Sequence, residues 1–393
     1  MRVLCTCVPG DGHFNPMLPL ARALAAAGHQ VAFATSEAIE PHVVKAGFEF
    51  LAAGISLPDQ LAEARRRFPD QAALLGAERF ENFVPRMLGG VAAPPRIADL
   101  MPIVEQWRPD VVVHDETELG GPVAAAGAGI PHADHSVGIL RPLSMFRLAR
   151  QMLEPVYEHW GVELGPYAGI GDYLYLDVCP PSLQSAWIDQ IPAAHPMQNA
   201  AIPPDAGEQP PAWLADLADR PTLYVSLGTV FNNDPTVFRS ILEGVREEPV
   251  NVIATVGRTN DPADLGPQPD HVHVERYISQ ALLLPHCDVV VNQGGTAILS
   301  ILAEGLPMIV VPQGANQFHN AAALEAAGVG RSLLPGQVTA DSVRAELRAL
   351  LDDPGYRERA RHIASEIAAM PGPAEGVRLV ERLVEERQPL VAS

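Results

Sequence analysis

VLCTCVPGDGHFNPMLPLARALAAAGHQVAFAT, residues Val3–Thr35, carries the reading of the fold. It opens on an apolar run, Val3–Val8, short enough to be a buried strand. A turn follows, Pro9-Gly-Asp-Gly-His-Phe-Asn-Pro16. From Met17 to Ala27 the residues Leu18, Leu20, Ala21, Leu24 and Ala25 fall at helical spacing, and Gly28-His29 ends the pattern. Val31–Thr35 is apolar again. Strand, helix, strand is a βαβ unit, and strands joined through a helix run parallel.

The rhythm recurs along the chain. Asp110–Val113 reads as a buried strand, and Ile130–Asp134 follows a helix rich in Ala and Gly. In the second half Thr222–Ser226, Asn251–Thr255, Val272–Val274, Val289–Val291 and Met308–Pro312 read as strands with helical stretches between. The Pro-rich stretch Ile202–Pro211 has the composition of a linker. The expected fold is therefore α/β, two doubly wound Rossmann-like domains facing a cleft: residues 1–202, a linker at 203–211, and residues 212–373. A last amphipathic helix within 374–393 (Val377, Leu379, Val380, Leu383, Val384) is expected near the domain junction. Residues 55–95 and 136–175 read as irregular.

The totals exclude several classes. A chain of 393 residues with 47 Asp and Glu against 27 Lys and Arg, net −20, lacks the basic face of a nucleic-acid protein. It does not exclude a small phosphorylated ligand, which backbone N–H groups can hold. Four cysteines form no disulfide framework, so a reducing cytoplasm is expected. Cys5 and Cys7 share a strand face without a second ligand pair, which argues against metal. No signal peptide is read at Met1-Arg-Val-Leu. No apolar run approaches the roughly 20 residues of a membrane span.

In open α/β sheets ligands sit beyond the carboxyl ends of the strands. The turns at 10–16, 114–118, 227–232 and 292–296 are of that kind. Gly10 and Gly12 imitate a dinucleotide fingerprint, with Glu37 as its acidic residue, but Asn15 stands where the third glycine or alanine is needed. No Gly-Lys-Ser/Thr phosphate loop follows any strand. His13, after the first strand, can serve as a general base, and Asp115, at the end of another strand, can hold its imidazole in the productive tautomer. His132, Asp134 and His135 lack a clear third metal ligand, so no metal is expected, and they read as cleft-lining or loop residues. The turn Asn292-Gln-Gly-Gly-Thr-Ala297 contains no charge, as suits a diphosphate held by amides at a helix start.

These residues carry a resemblance. Gly12-His-Phe-Asn-Pro16 with Leu18-Pro-Leu20 resembles the N-terminal motif of the family-1 nucleotide-sugar glycosyltransferases. Gln280–Thr296 is similar to their donor-binding signature, continued by Ala303-Glu-Gly-Leu-Pro307 and Pro312–Ala321. The likeness covers nearly the whole chain, including Ser226-Leu-Gly-Thr229 and Ala369–Glu375. Within the family it resembles the bacterial transferases that decorate enediyne and macrolide antibiotics. It implies the GT-B fold, with His13 as base and Asp115 as its partner. It also implies a donor site of Gly228 and Thr229, Tyr277 and Ile278 at the nucleobase, Gln280, the turn Asn292, Gln293, Gly294, Gly295, Thr296, and Asn316 with Gln317 at the sugar hydroxyls. An acceptor would meet Gly12, Phe14, Phe68, Phe83, His135 and Phe146.

Two departures stand out. The family's phosphate-turn histidine is replaced, by Asn292 or by Gln293 depending on whether one deletion is allowed. Its sugar-binding Asp is amidated, to Asn316. The expected function is inverting transfer of a sugar from a TDP or UDP donor to a hydroxyl of a small-molecule aglycone. No metal or cofactor, no nucleic acid and no membrane are expected, and a homodimer is left open. The alternatives are a donor-impaired homologue that assists another transferase, and a nucleotide-sugar epimerase.

Overall fold

The computed structural model describes residues 1–199, 204, 207–228, 235–257 and 260–392. Thr229 and, within the expected linker, residues 203, 205 and 206 lie outside them. The chain divides into two compact units. The first comprises Met1–Pro180, Gln184–Ala200 and Met370–Ser393; the second comprises Pro181–Leu183 and Ala201–Ala369.

The first unit is built on seven strands: β1 (Arg2–Thr6), β2 (Gln30–Thr35), β3 (Glu49–Ala52), β4 (Val111–Asp115), β5 (His132–His135), β6 (Leu174–Asp177) and β7 (Ala194–Pro196). They lie in the order β3-β2-β1-β4-β5-β6-β7, every neighbouring pair parallel. β4 and β5 are buried along their whole length, as a sheet covered on both faces requires. The second unit has β8 (Thr222–Ser226), β9 (Asn251–Thr255), β10 (Val272–Glu275), β11 (Val289–Asn292), β12 (Met308–Val310) and β13 (Gly330–Ser332), in the order β10-β9-β8-β11-β12-β13, again parallel.

Both orders contain a switch point. In the first sheet the chain builds outward from β1 to β3, then returns to place β4 on the other side of β1. In the second it builds from β8 to β10, then places β11 beside β8. The helices that follow the two central strands leave on opposite sides there and open a crevice at their carboxyl ends.

Two expectations are corrected, on the first helix and on the stretches read as irregular. The first helix spans Asp11–Ala26, not Met17–Ala27, so His13 lies in its first turn. Pro16 and Pro19 sit inside it, and the packing of Phe14, Met17, Leu20 and Leu24 outweighs the hydrogen bonds they remove. The stretch 55–95 is mainly helical, with Leu57–Arg67 and Gly76–Met87. The stretch 136–175 contains the 18-residue helix Leu143–Trp160. The helix Pro373–Glu386 is part of the first unit, where Gly376 lets it approach Leu20 and Met197.

Candidate functional site

At the switch point of the first sheet, the helix after β1 presents His13 and the end of β4 presents Asp115. His13 Nδ1 lies 3.2 Å from Asp115 Oδ1; the imidazole is one quarter exposed and the carboxylate fully buried. A carboxylate only accepts, so Nδ1 carries the proton and Nε2 is left with a lone pair. Asp115 also accepts from the Val8 amide (2.6 Å), the Thr117 amide (2.8 Å) and the Thr117 hydroxyl (2.6 Å). Burial alone would raise the Asp115 pKa. The charge and hydrogen bond of His13, with those of Thr117 and Val8, override it and hold the carboxyl well below the usual carboxylate range.

Buried ion pairs brace this edge. Glu118 accepts from Thr6 Oγ1 (2.5 Å) and from the Gly120 and Gly121 amides (2.7 and 2.8 Å), at the start of the helix Gly120–Ala128, and pairs with buried Arg96. Glu116 accepts from Arg141 and from the Tyr175 hydroxyl. Of the expected acceptor residues, Gly12 is half-buried in the first helical turn and Phe68 is partly buried. Phe14, Phe83 and Phe146 are at most 2% exposed and belong to the core, Phe14 edge-on to Phe33. His135 is fully buried, and burial pushes its pKa down to about 4.

The second switch point gathers most of the expected donor residues. Asn292 ends β11 and is committed within the fold: its Oδ1 accepts the Gly294 amide (2.6 Å) and its Nδ2 meets Met308 Sδ. Gln293 points elsewhere. Its amide lies against Gly228, after β8, where any Cβ would overlap it, and close to Gly295. Gly294 has φ +83°, a left-handed conformation that favours glycine, and its carbonyl is held by Asn320 Nδ2 (2.8 Å). Ile298 N–H is the first to bond back, to Gly295 O, so the amides of the turn precede the ladder of the short helix Ile298–Ala303.

Tyr277 is 45% exposed, Ile278 is buried, and Gln280 opens the short helix Gln280–Leu283. Asn316 precedes the helix Gln317–Ala326, while Gln317 Oε1 accepts the amides of Gln313 and Gly314 at 2.7 and 3.0 Å. Thr229 is outside the described residues.

Residues 22–228 match the N-terminal domain, and residues 239–384 the C-terminal domain, of a family described as erythromycin biosynthesis protein CIII-like. The chain belongs to this glycosyltransferase family. It is 34% identical to L-demethylnoviosyl transferase of Streptomyces niveus, covering 97% of this chain and 99% of the relative. It is 28% identical to 4'-demethylrebeccamycin synthase of Lentzea aerocolonigenes, covering 98% and 99%. The structure of spinosyn rhamnosyltransferase SpnG superposes with a TM-score of 0.81 at 26% identity, over 97% of this chain and all of that one; SpnG has also been solved with thymidine diphosphate. The fold is GT-B and the protein is a glycosyltransferase.

In this CIII-like transferase, strand alternation separates groups that adjoin in sequence. Asp115 and His135 are register partners, as are His114 and Asp134 one residue earlier. His132, two residues before Asp134, shares the latter's face. His114 Nε2 lies 3.0 Å from His132 Nδ1 and 3.3 Å from Asp134 Oδ1, all three residues at most 1% exposed. The expected grouping of His132, Asp134 and His135 is thus replaced by one with His114. Sequence reading also missed Thr117, although a Thr two residues after an Asp at a strand end is a recognisable local hydrogen-bonding pattern. No helix among the described residues is long and apolar enough to cross a membrane.

Proposed function

We propose that this glycosyltransferase moves a sugar from a nucleoside diphosphate to a hydroxyl of a secondary-metabolite aglycone, with inversion at the anomeric carbon. The observation that carries the reading is the partly exposed His13 on buried Asp115 at a switch point. His13 Nε2 takes the acceptor proton as that oxygen bonds to the anomeric carbon. The bond from that carbon to the diphosphate oxygen breaks, and the nucleoside diphosphate leaves from the opposite face. Asp115 fixes the tautomer and stabilises the imidazolium.

Charge gathers on the diphosphate as it leaves, so groups aimed at it count for more in the transition state than before it. The turn amides other than that of Gly294, which Asn292 holds, and Gln293 would supply them. Thymidine diphosphate is the favoured donor nucleotide because the related SpnG and SsfS6 were solved with it. A second reading, a donor-impaired auxiliary homologue, is motivated by the missing turn histidine and by Asn316. Retention of both His13 and Asp115 favours the enzyme.

His13→Ala should lower transfer by about 10²–10⁴-fold, the range of general-base catalysis. Thymidine diphosphate binding by calorimetry should be unchanged. Equal turnover in variant and wild type would remove His13 from the chemistry, and failure of wild type to bind either TDP or UDP would favour the auxiliary reading.

A further inference from the structure

We infer that His114, His132 and Asp134 form a binding site for one zinc-class divalent cation, buried in the first unit and separate from the groups that carry out transfer. The three side chains project from one face of adjacent strands, His114 from β4, His132 and Asp134 from β5. One ligand atom from each can be chosen so that all lie within 4.8 Å of one another, and all three residues are buried.

The spacing suits such an ion. Zinc bonds imidazole nitrogen and carboxylate oxygen at about 2.0–2.2 Å, so two ligands at a tetrahedral angle stand about 3.3 Å apart. The two measured edges at His114 Nε2 are 3.0 and 3.3 Å.

The outer contacts orient the ligand atoms. His114 Nδ1 lies 3.2 Å from the Asp115 carbonyl oxygen, which only accepts, so this nitrogen holds the proton and the lone pair is on Nε2. Asp134 Oδ2 accepts the Gly171 amide at 2.8 Å, which leaves Oδ1 facing the histidines.

The competing arrangement is a hydrogen bond from His132 Nδ1 to His114 Nε2. It satisfies His114 but leaves His132 Nε2 and Asp134 Oδ1, both buried, with no hydrogen-bond partner. Burying such groups unpaired is costly. A single cation engages all three residues. His132 also lines a cavity of about 350 Å³ together with Glu163, Asp172, Tyr173 and Arg387, which gives the cluster a side on which an ion could arrive. Gly121, in the helix above, has no side chain to collide with His114 and Thr6.

The test is metal analysis of the full-length enzyme after exposure to zinc or cobalt(II) and dialysis against a weak chelator. One equivalent should be retained, with cobalt giving the visible absorption of a four- or five-coordinate ion. A strong chelator should lower the melting temperature of wild type. Asp134→Asn keeps an acceptor for the Gly171 amide; it and His132→Gln should lose the retained equivalent, the cobalt bands and the chelator effect. Wild type that retains no metal, or retains the same amount as the variants, overturns the site in favour of a hydrogen-bonded cluster or surface histidines. If a variant fails to fold, the wild-type cobalt spectrum and chelator response decide alone. None of these readouts depends on His13, so transfer activity and the cation site succeed or fail separately.

Discussion

His13 and Asp115 were both legible in the sequence, because each follows a strand run and ligands gather at strand ends. Their supports were less so. The Val8 amide reaches Asp115 only through the register of β1 and β4, which no local pattern encodes. The choice between Asn292 and Gln293 for the missing histidine was open in sequence, and the side-chain directions separate them. Asn292 faces the fold, whereas Gln293 lies over Gly228 and Gly295. Gln293→Ala should therefore weaken thymidine diphosphate binding by about 1.5–3 kcal/mol, the value of a hydrogen bond to a charged group, with little change in melting temperature. Asn292→Ala should lower the melting temperature. The reverse pattern in calorimetry and thermal unfolding would reassign the two.

Asp177, at the end of β6, offers a test in pH. Burial pushes its pKa from 3.8 up to about 7, against hydrogen bonds from Gln184 and the Cys179 amide, with nearby Glu116 adding to the rise. Between those values the folded chain holds a proton that the unfolded chain has lost. Stability from this group is therefore full below about pH 4 and falls as pH rises towards 7, by a few kcal/mol at about 1.4 kcal/mol per unit. Asp177→Asn keeps an acceptor for both donors and removes the titration. Its melting temperature should gain on wild type from pH 4 to 7 and then hold level. A constant difference across that range would rule the linkage out.

Among the elements, the central strands other than β6 were readable because they are short, apolar and bounded by turns. The helices of 55–95 and 136–175 were not, because prolines and glycines interrupt their periodicity. Pro85 and Pro155 lie inside helices, and Leu88–Ala92 continues Gly76–Met87 with a wider turn. Tertiary packing explains the tolerance: at Gly89 the backbone of Leu143–Trp160 passes so close that a Cβ would overlap the Ala149 carbonyl. Gly89→Val should cost at least the 1–3 kcal/mol typical of overpacking, since backbone rather than a mobile side chain blocks it. Urea unfolding gives the value, and a neutral result would mean that these two helices can separate locally. The short edge strands β7 and β13 were missed for a simpler reason: Ala194–Pro196 and Gly330–Ser332 have no apolar run to mark them.

For the molecule as a whole, the two-domain division followed from the repeated rhythm, but the chain's return did not. Residues 370–393 complete the first unit after the second has been built. Val377, Leu379, Val380 and Leu383 are at most 6% exposed, and the Leu390 and Ala392 amides bond the Tyr173 and Pro192 carbonyls. Each buried aliphatic side chain is worth about 1.5–3 kcal/mol, so together they rival the stability of a domain. Removing residues 373–393 should abolish or sharply lower the unfolding transition of the first unit and leave that of the second in place. Calorimetry showing one unchanged transition would contradict this assignment.

β4 has a consequence for recombination between relatives. Its five residues serve two covered faces in alternation, with His114 directed to one and Asp115 to the other. Losing or gaining one residue within Val111–Asp115 would shift one of the two side chains out of its place, even if the strand itself still formed. The count of residues in this strand thus matters to both arrangements as much as their identity. Chimaeras joined outside 111–115 keep both arrangements, and crossovers that change its length sacrifice at least one.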